Sequence, residues 1–123
     1  MIDPVLSAYL SNQKTSSFQN ILFKLIAKKN IDEVSVYKTA QLDRKLFSKI
    51  RCQEDYVPKK KNVIKLGLAL NLDKSDFNML LHSAGYYLGG SNFDSIISYC
   101  LDNKIYDTKK INDYLYNYCT ATL

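Results

Sequence analysis

The sequence predicts an all-α protein, and three observations carry that expectation. Apolar residues recur at three- and four-residue spacings through most of the chain, the mark of helices with one buried face. Residues suited to opening a helix stand just ahead of those stripes. Four Gly and two Pro in 123 residues are too few for a loop-dominated all-β chain. No segment alternates convincingly between apolar and polar residues, as a half-buried strand does.

Taken in order, the stripes give about seven short helices. Ser17 precedes Phe18, Ile21, Leu22, Leu25 and Ile26, and that segment closes on Lys28, Lys29 and Asn30, cations followed by a residue tolerant of a left-handed turn. Asp32 is placed to cap a second helix reaching about Ala40, with Val36 and Tyr37 to bury. Asp43 can cap a third, residues 44–52, in which Leu46, Phe47 and Ile50 face inward and Arg44, Lys45, Ser48 and Lys49 face away. Residues 53–58 are irregular, and Pro58 stands just ahead of a fourth helix over about residues 59–71. Val63, Ile64, Leu66, Leu68 and Leu70 make that helix apolar almost all round, so it is expected at the centre. Asp73 or Ser75 caps a fifth helix carrying Phe77, Leu80, Leu81 and Ala84, which Gly85 stops. Two further stripes follow: Phe93, Ile96, Ile97, Cys100 and Leu101, then Ile111, Tyr114, Leu115, Tyr118 and Cys119. Residues 86–92 form the best internal joint, dividing the chain into a five-helix body (1–85) and a two-helix C-terminal extension (86–123).

At 14.1 kDa the chain has the size of one ordinary domain. Its 46% hydrophobic and 24% charged residues exclude a disordered chain. No apolar run approaches the length of a membrane-spanning helix, and the first residues lack the basic start of a secretory signal. Three widely spaced cysteines, Cys52, Cys100 and Cys119, with no Cys-x-x-Cys pair, read as free thiols and imply a cytoplasmic protein. One histidine cannot complete a zinc site without all three of them. His82 lies at a helix end, where the helix dipole and free carbonyls favour it without any catalytic role. Gly89-Gly90 lacks the strand and the Gly-Lys of a phosphate loop. The expectation is a protein with no catalytic residue, no metal and no cofactor.

The net charge of +5 is unevenly spread. Residues 38–65 hold nine basic and three acidic side chains, for +6, whereas residues 1–37 sum to +1 and residues 66–123 to −2. A basic block of this kind points to a polyanionic partner.

The segment 18–81 resembles the helix-turn-helix domains of the Cro and phage-repressor (XRE-like) family. The resemblance rests on Phe18-x-x-Ile21-Leu22, on Leu42-Asp43-Arg44-Lys45-Leu46-Phe47-Ser48-Lys49-Ile50, on Pro58, and on Val63-Ile64-Lys65-Leu66-Gly67-Leu68-Ala69-Leu70-Asn71-Leu72. It implies that helix 43–52 lies in the major groove of double-stranded DNA, as in a transcriptional regulator. Arg44, Lys45, Ser48 and Lys49 then match positions that read bases or clamp phosphate, and Lys38, Lys59, Lys60 and Lys61 match the approach to the backbone. Both arginines of the chain, Arg44 and Arg51, lie in this helix, and Arg suits bidentate contact with guanine or phosphate. A structural ion pair of Arg51 with Glu54 or Asp55 is the other reading. Three positions depart from the family pattern: Glu33 for its Gln, Gln41 for its turn Gly, and Leu46 for a small polar residue.

Those departures support a second class, a helical protein-interaction module that keeps the fold and binds a protein partner instead, such as a phage- or defence-type inhibitor or accessory subunit. Seven of ten tyrosines fall in residues 86–118. Tyr99, Tyr114 and Tyr118 lie on or beside the apolar stripes, so the C-terminal helices are expected either to pack on the body or to form a homodimer surface.

Overall fold

The computed structural model describes residues 2–14 and 17–123, with the backbone alone for residues 11–14. The described residues form eight helices and no strand: α1 (Pro4–Lys14), α2 (Phe18–Lys29), α3 (Glu33–Thr39), α4 (Arg44–Cys52), α5 (Lys60–Ala69), α6 (Lys74–Ser83), α7 (Asn92–Asp102) and α8 (Thr108–Cys119). Seven of them fall where the sequence predicts them. The eighth, α1, is an addition to that reading.

The caps explain the boundaries. Side-chain oxygens of Ser17, Asp32, Asp43, Asp73, Ser91 and Asp107 accept backbone N–H groups in the first turns of α2, α3, α4, α6, α7 and α8. Asp73, not Ser75, caps α6, its Oδ1 accepting from the Asp76 N–H at 2.8 Å. Five helix ends follow one rule. Asn30, Gln41, Asn71, Gly85 and Lys104 take positive φ, and the next residue's N–H returns to a carbonyl five positions back. That next residue is apolar or aromatic in each case (Ile31, Leu42, Leu72, Tyr86 and Ile105), so the closing turn also delivers a side chain to the core or its margin.

α5 is central, as its all-round apolar pattern requires. Val63, Ile64, Leu66, Gly67 and Leu68 are buried, and α3 and α6 pack against it. Gly67 permits the close approach of α6: a Cβ there would stand 2.6 Å from the Phe77 ring. α2 packs on α6, and α7 and α8 form an antiparallel pair reached through α6. Ile97, Cys100, Leu101, Ile111 and Leu115 from this pair belong to the same continuous core as Leu22, Phe47 and Leu80. Polar contacts reinforce the junction: Tyr86 Oη donates to the Pro58 carbonyl (3.0 Å), Tyr106 Oη to that of Leu72 (2.7 Å), and Lys74 pairs with Asp102 (2.9 Å).

The cysteines are free, with Cys100 buried, Cys119 half-buried and Cys52 exposed. Burial pushes the Cys100 thiol pKa up, which keeps it protonated and inert. Among the described residues no helix is long and apolar enough to cross a membrane.

Candidate nucleic-acid interface

The basic segment is built on α3, a four-residue connection and α4. Val36, Leu42, Phe47 and Ile50 anchor the pair in the core. The Phe47 ring lies 5.5 Å from Tyr37 and 6.0 Å from Phe23, which fixes the rotation of α4 about its axis. Gln19 on α2 closes the far end, its Nε2 donating to the Arg51 carbonyl at 2.6 Å and the Ile50 carbonyl at 3.3 Å. The turn itself uses Gln41 at φ +57°, the left-handed conformation that glycine adopts most cheaply.

This anchoring turns Arg44, Lys45, Ser48 and Lys49 outward, and all four are exposed. Leu46, half-buried, packs against the core margin. Lys38 is exposed in the last turn of α3, and Lys59 is exposed at the start of α5, the only N-cap position among α2–α8 without a capping side chain.

The structure then sorts the cations by what they already touch. Arg51 pairs with Glu33 across the two helices, and with neither Glu54 nor Asp55 as the local spacing suggested. It also stands 6.0 Å from the Phe23 ring centroid. Lys60 Nζ lies 2.8 Å from Oδ2 of the buried Asp94, which also accepts the Gly89 N–H. Lys61 rests 5.6 Å from the Phe93 centroid, and Lys49 sits 4.5 Å over Tyr56. Among the described residues the side chains of Arg44, Lys45 and Lys59 have no ionic or ring partner. The eight candidates therefore do not form one uniform patch: four lie on α4, three at the head of α5, and Lys38 on α3.

The acidic residues are equally well placed. Asp32 takes the Ser35 hydroxyl (2.6 Å) and backbone N–H (3.3 Å), bonds that hold its carboxyl below the usual pKa, with a smaller contribution from Lys38. Between α3 and α4 lies an open hollow of about 430 Å³, bordered by Glu33, Val34, Tyr37, Arg44, Ser48 and Arg51. Its Glu33–Arg51 bridge joins residues 18 apart and could be suspected only once the resemblance had placed both on facing helices.

The tyrosines on the C-terminal stripes divide between surface and core margin. Tyr99 and Tyr118 are 54% and 73% exposed, and Tyr114 is half-buried. His82 is exposed in the last turn of α6. Comparison with protein-family models, with curated proteins and with solved structures returns no match for this chain.

Proposed function

We propose that the chain is a small DNA-binding protein, a transcriptional regulator whose α3–α4 pair works as a helix-turn-helix with α4 in the major groove. The observation that carries this reading is the outward face of α4, where Arg44, Lys45, Ser48 and Lys49 stand together and exposed on a helix held rigidly by Phe47 and Ile50. Arg44, Lys45 and Ser48, near the N-terminal end, would meet base edges. Lys49, Lys38, Lys59 and Lys61 would neutralise phosphates, and the uncapped first turn of α5 adds backbone N–H groups to that contact. Lys60 contributes least, because Asp94 already neutralises it. With about five phosphates neutralised per protomer, log affinity for duplex DNA should fall with log salt at a slope of about −4 to −5. Titration against labelled duplex at several salt concentrations tests this, and a flat response overturns it.

A second reading is favoured by one observation. The Glu33–Arg51 bridge consumes one of two arginines and places a carboxylate where the repressor type presents Gln to a phosphate. In that reading the same basic face binds an acidic surface on a partner protein. Pull-down from a native extract with and without nuclease separates the two, since a DNA-bridged capture disappears on digestion.

A further inference from the structure

The cations of the basic block differ from those elsewhere in what holds them. Outside the block, Lys28 and Lys74 pair with Asp76 and Asp102, and Lys29 donates to the Asn71 carbonyl. Among the described residues, cation–ring contacts occur only within residues 38–65, at Lys49, Arg51 and Lys61. Arg51 is also bound to Glu33, so a carboxylate offsets its charge. Lys49 and Lys61 rest on rings and pair with no carboxylate among the described residues. A ring holds an ammonium differently from a carboxylate. It attracts the cation through its quadrupole but carries no net charge, so the lysine stays at +1. It also takes up one side of the ammonium only, leaving other N–H donors free. A long side chain held this way gives up rotamer freedom before any ligand arrives, which lowers the cost of binding one.

Both rings are themselves firmly placed. Tyr56 is half-buried against the core, its N–H donating to the Gln53 carbonyl at 3.0 Å, and the Gln53 N–H donates to the Lys49 carbonyl at 3.0 Å. These two backbone bonds fold the chain after α4 back, so that the ring lies 4.5 Å from Lys49 Nζ. Phe93 is half-buried in the first turn of α7, which Ser91 caps. There, consecutive residues of α5 meet consecutive residues of α7. Lys60 binds Asp94, and Lys61 Nζ lies 5.6 Å from the Phe93 centroid. The Asp94 carboxylate oxygen that takes Lys60 also takes the Gly89 N–H, which fixes the start of α7 where its ring meets Lys61.

We infer, resting on the DNA reading, that Tyr56 and Phe93 are positioning residues, which hold the Lys49 and Lys61 ammonium groups charged and in place for phosphate. Lysine binds phosphate as a point charge, so fixing where its nitrogen stands is the useful constraint. Lys59, between the two rings' segments in the chain, has no ionic or ring partner among the described residues and opens the uncapped first turn of α5. Lys60 is the counter-example within the same turn, since Asp94 holds it at the expense of its charge. The connection before α5 and the first turn of α7 thereby take part in binding without touching DNA themselves.

Anisotropy titration of labelled duplex DNA at low salt tests both rings in the full chain. Tyr56→Leu and Phe93→Leu should each weaken binding about two- to fivefold. Tyr56→Phe and Phe93→Tyr keep a ring and should bind as wild type does. Each ring should matter only through its lysine. In a Lys49→Ala background Tyr56→Leu should therefore cost nothing further, and Phe93→Leu likewise in a Lys61→Ala background. Each lysine variant should also lower the salt slope by about 0.9, the mark of one phosphate contact. Should a leucine variant melt early, proton NMR of wild type takes its place. The ε-methylene protons of Lys49 and Lys61 should lie upfield of those of other exposed lysines, shifted by the rings, in the free chain and in the DNA complex. Wild type that does not bind duplex overturns the DNA reading and the positioning role with it. Where wild type binds, the positioning role of a ring is overturned alone by losses that add across its cycle, by a slope unchanged on removing its lysine, or by ε-methylene protons at ordinary positions.

Discussion

Gln41, in the turn before α4, and Gly67, where α5 meets α6, show how single residues set the packing of the helices. Gln41 takes a left-handed conformation that costs a non-glycine residue about 1 kcal/mol, and its side chain is exposed. Gln41→Gly should therefore raise stability by about 0.5 kcal/mol, the relief of strain exceeding the added freedom of the unfolded chain. Urea unfolding measures this, and a loss of stability would mean that the Gln41 side chain contributes more than the strain costs. Gly67 is the opposite case. A methyl group there meets the buried Phe77 ring, so Gly67→Ala should destabilise by about 1–2 kcal/mol even after its gain in helix propensity. The same unfolding measurement reads it, and an unchanged midpoint would mean that α5 and α6 separate without cost.

Three helix junctions share one residue recipe. Asn30-Ile31-Asp32, Gln41-Leu42-Asp43 and Asn71-Leu72-Asp73 each supply a left-handed closing residue, an apolar side chain packed in or against the core, and the cap of the next helix. The caps Asp32 and Asp43 and the Asn30 ending were legible in the sequence because capping and closing are local chemistry, whereas only the structure singled out Asp73 over Ser75 and showed the left-handed turn at Asn71. The junction before α4 places its charged face outward, and the strength of that face depends on its neighbour. Glu33 holds Arg51 and projects negative charge into the α3–α4 hollow. Glu33→Gln should release Arg51 and raise affinity for duplex DNA roughly three- to tenfold at low salt. Fluorescence anisotropy checks it, and unchanged affinity would favour the protein-partner reading. The missed element, α1, carries apolar residues at helical spacing in Val5, Leu6, Tyr9 and Leu10, but residues 4–10 are all exposed, so nothing in its packing marks it as part of the core.

At the scale of the whole molecule, the C-terminal pair is joined to the rest through Asp94. Its Oδ2 accepts both Lys60 Nζ and the Gly89 N–H, at 2.8 Å each, and its residue is buried. Asp94→Ala strands both donors and should cost about 2 kcal/mol, a figure held down by the partial exposure of Lys60. Thermal melting reads the loss, and stability equal to wild type would mean that water replaces the carboxylate fully. The sequence by itself determined the seven packed helices, the caps at Ser17, Asp32 and Asp43, the central place of α5 and the outward set Arg44, Lys45, Ser48 and Lys49, because periodicity and capping act over a few residues. Tertiary structure alone decided which cations remain unpaired. Arg51 finds Glu33 18 residues away and Lys60 finds Asp94 34 residues away. It also left Tyr99 and Tyr118 at the surface and Tyr114 half-buried. Pairing and exposure depend on distances between helices far apart in the chain, and a one-dimensional pattern does not contain those distances.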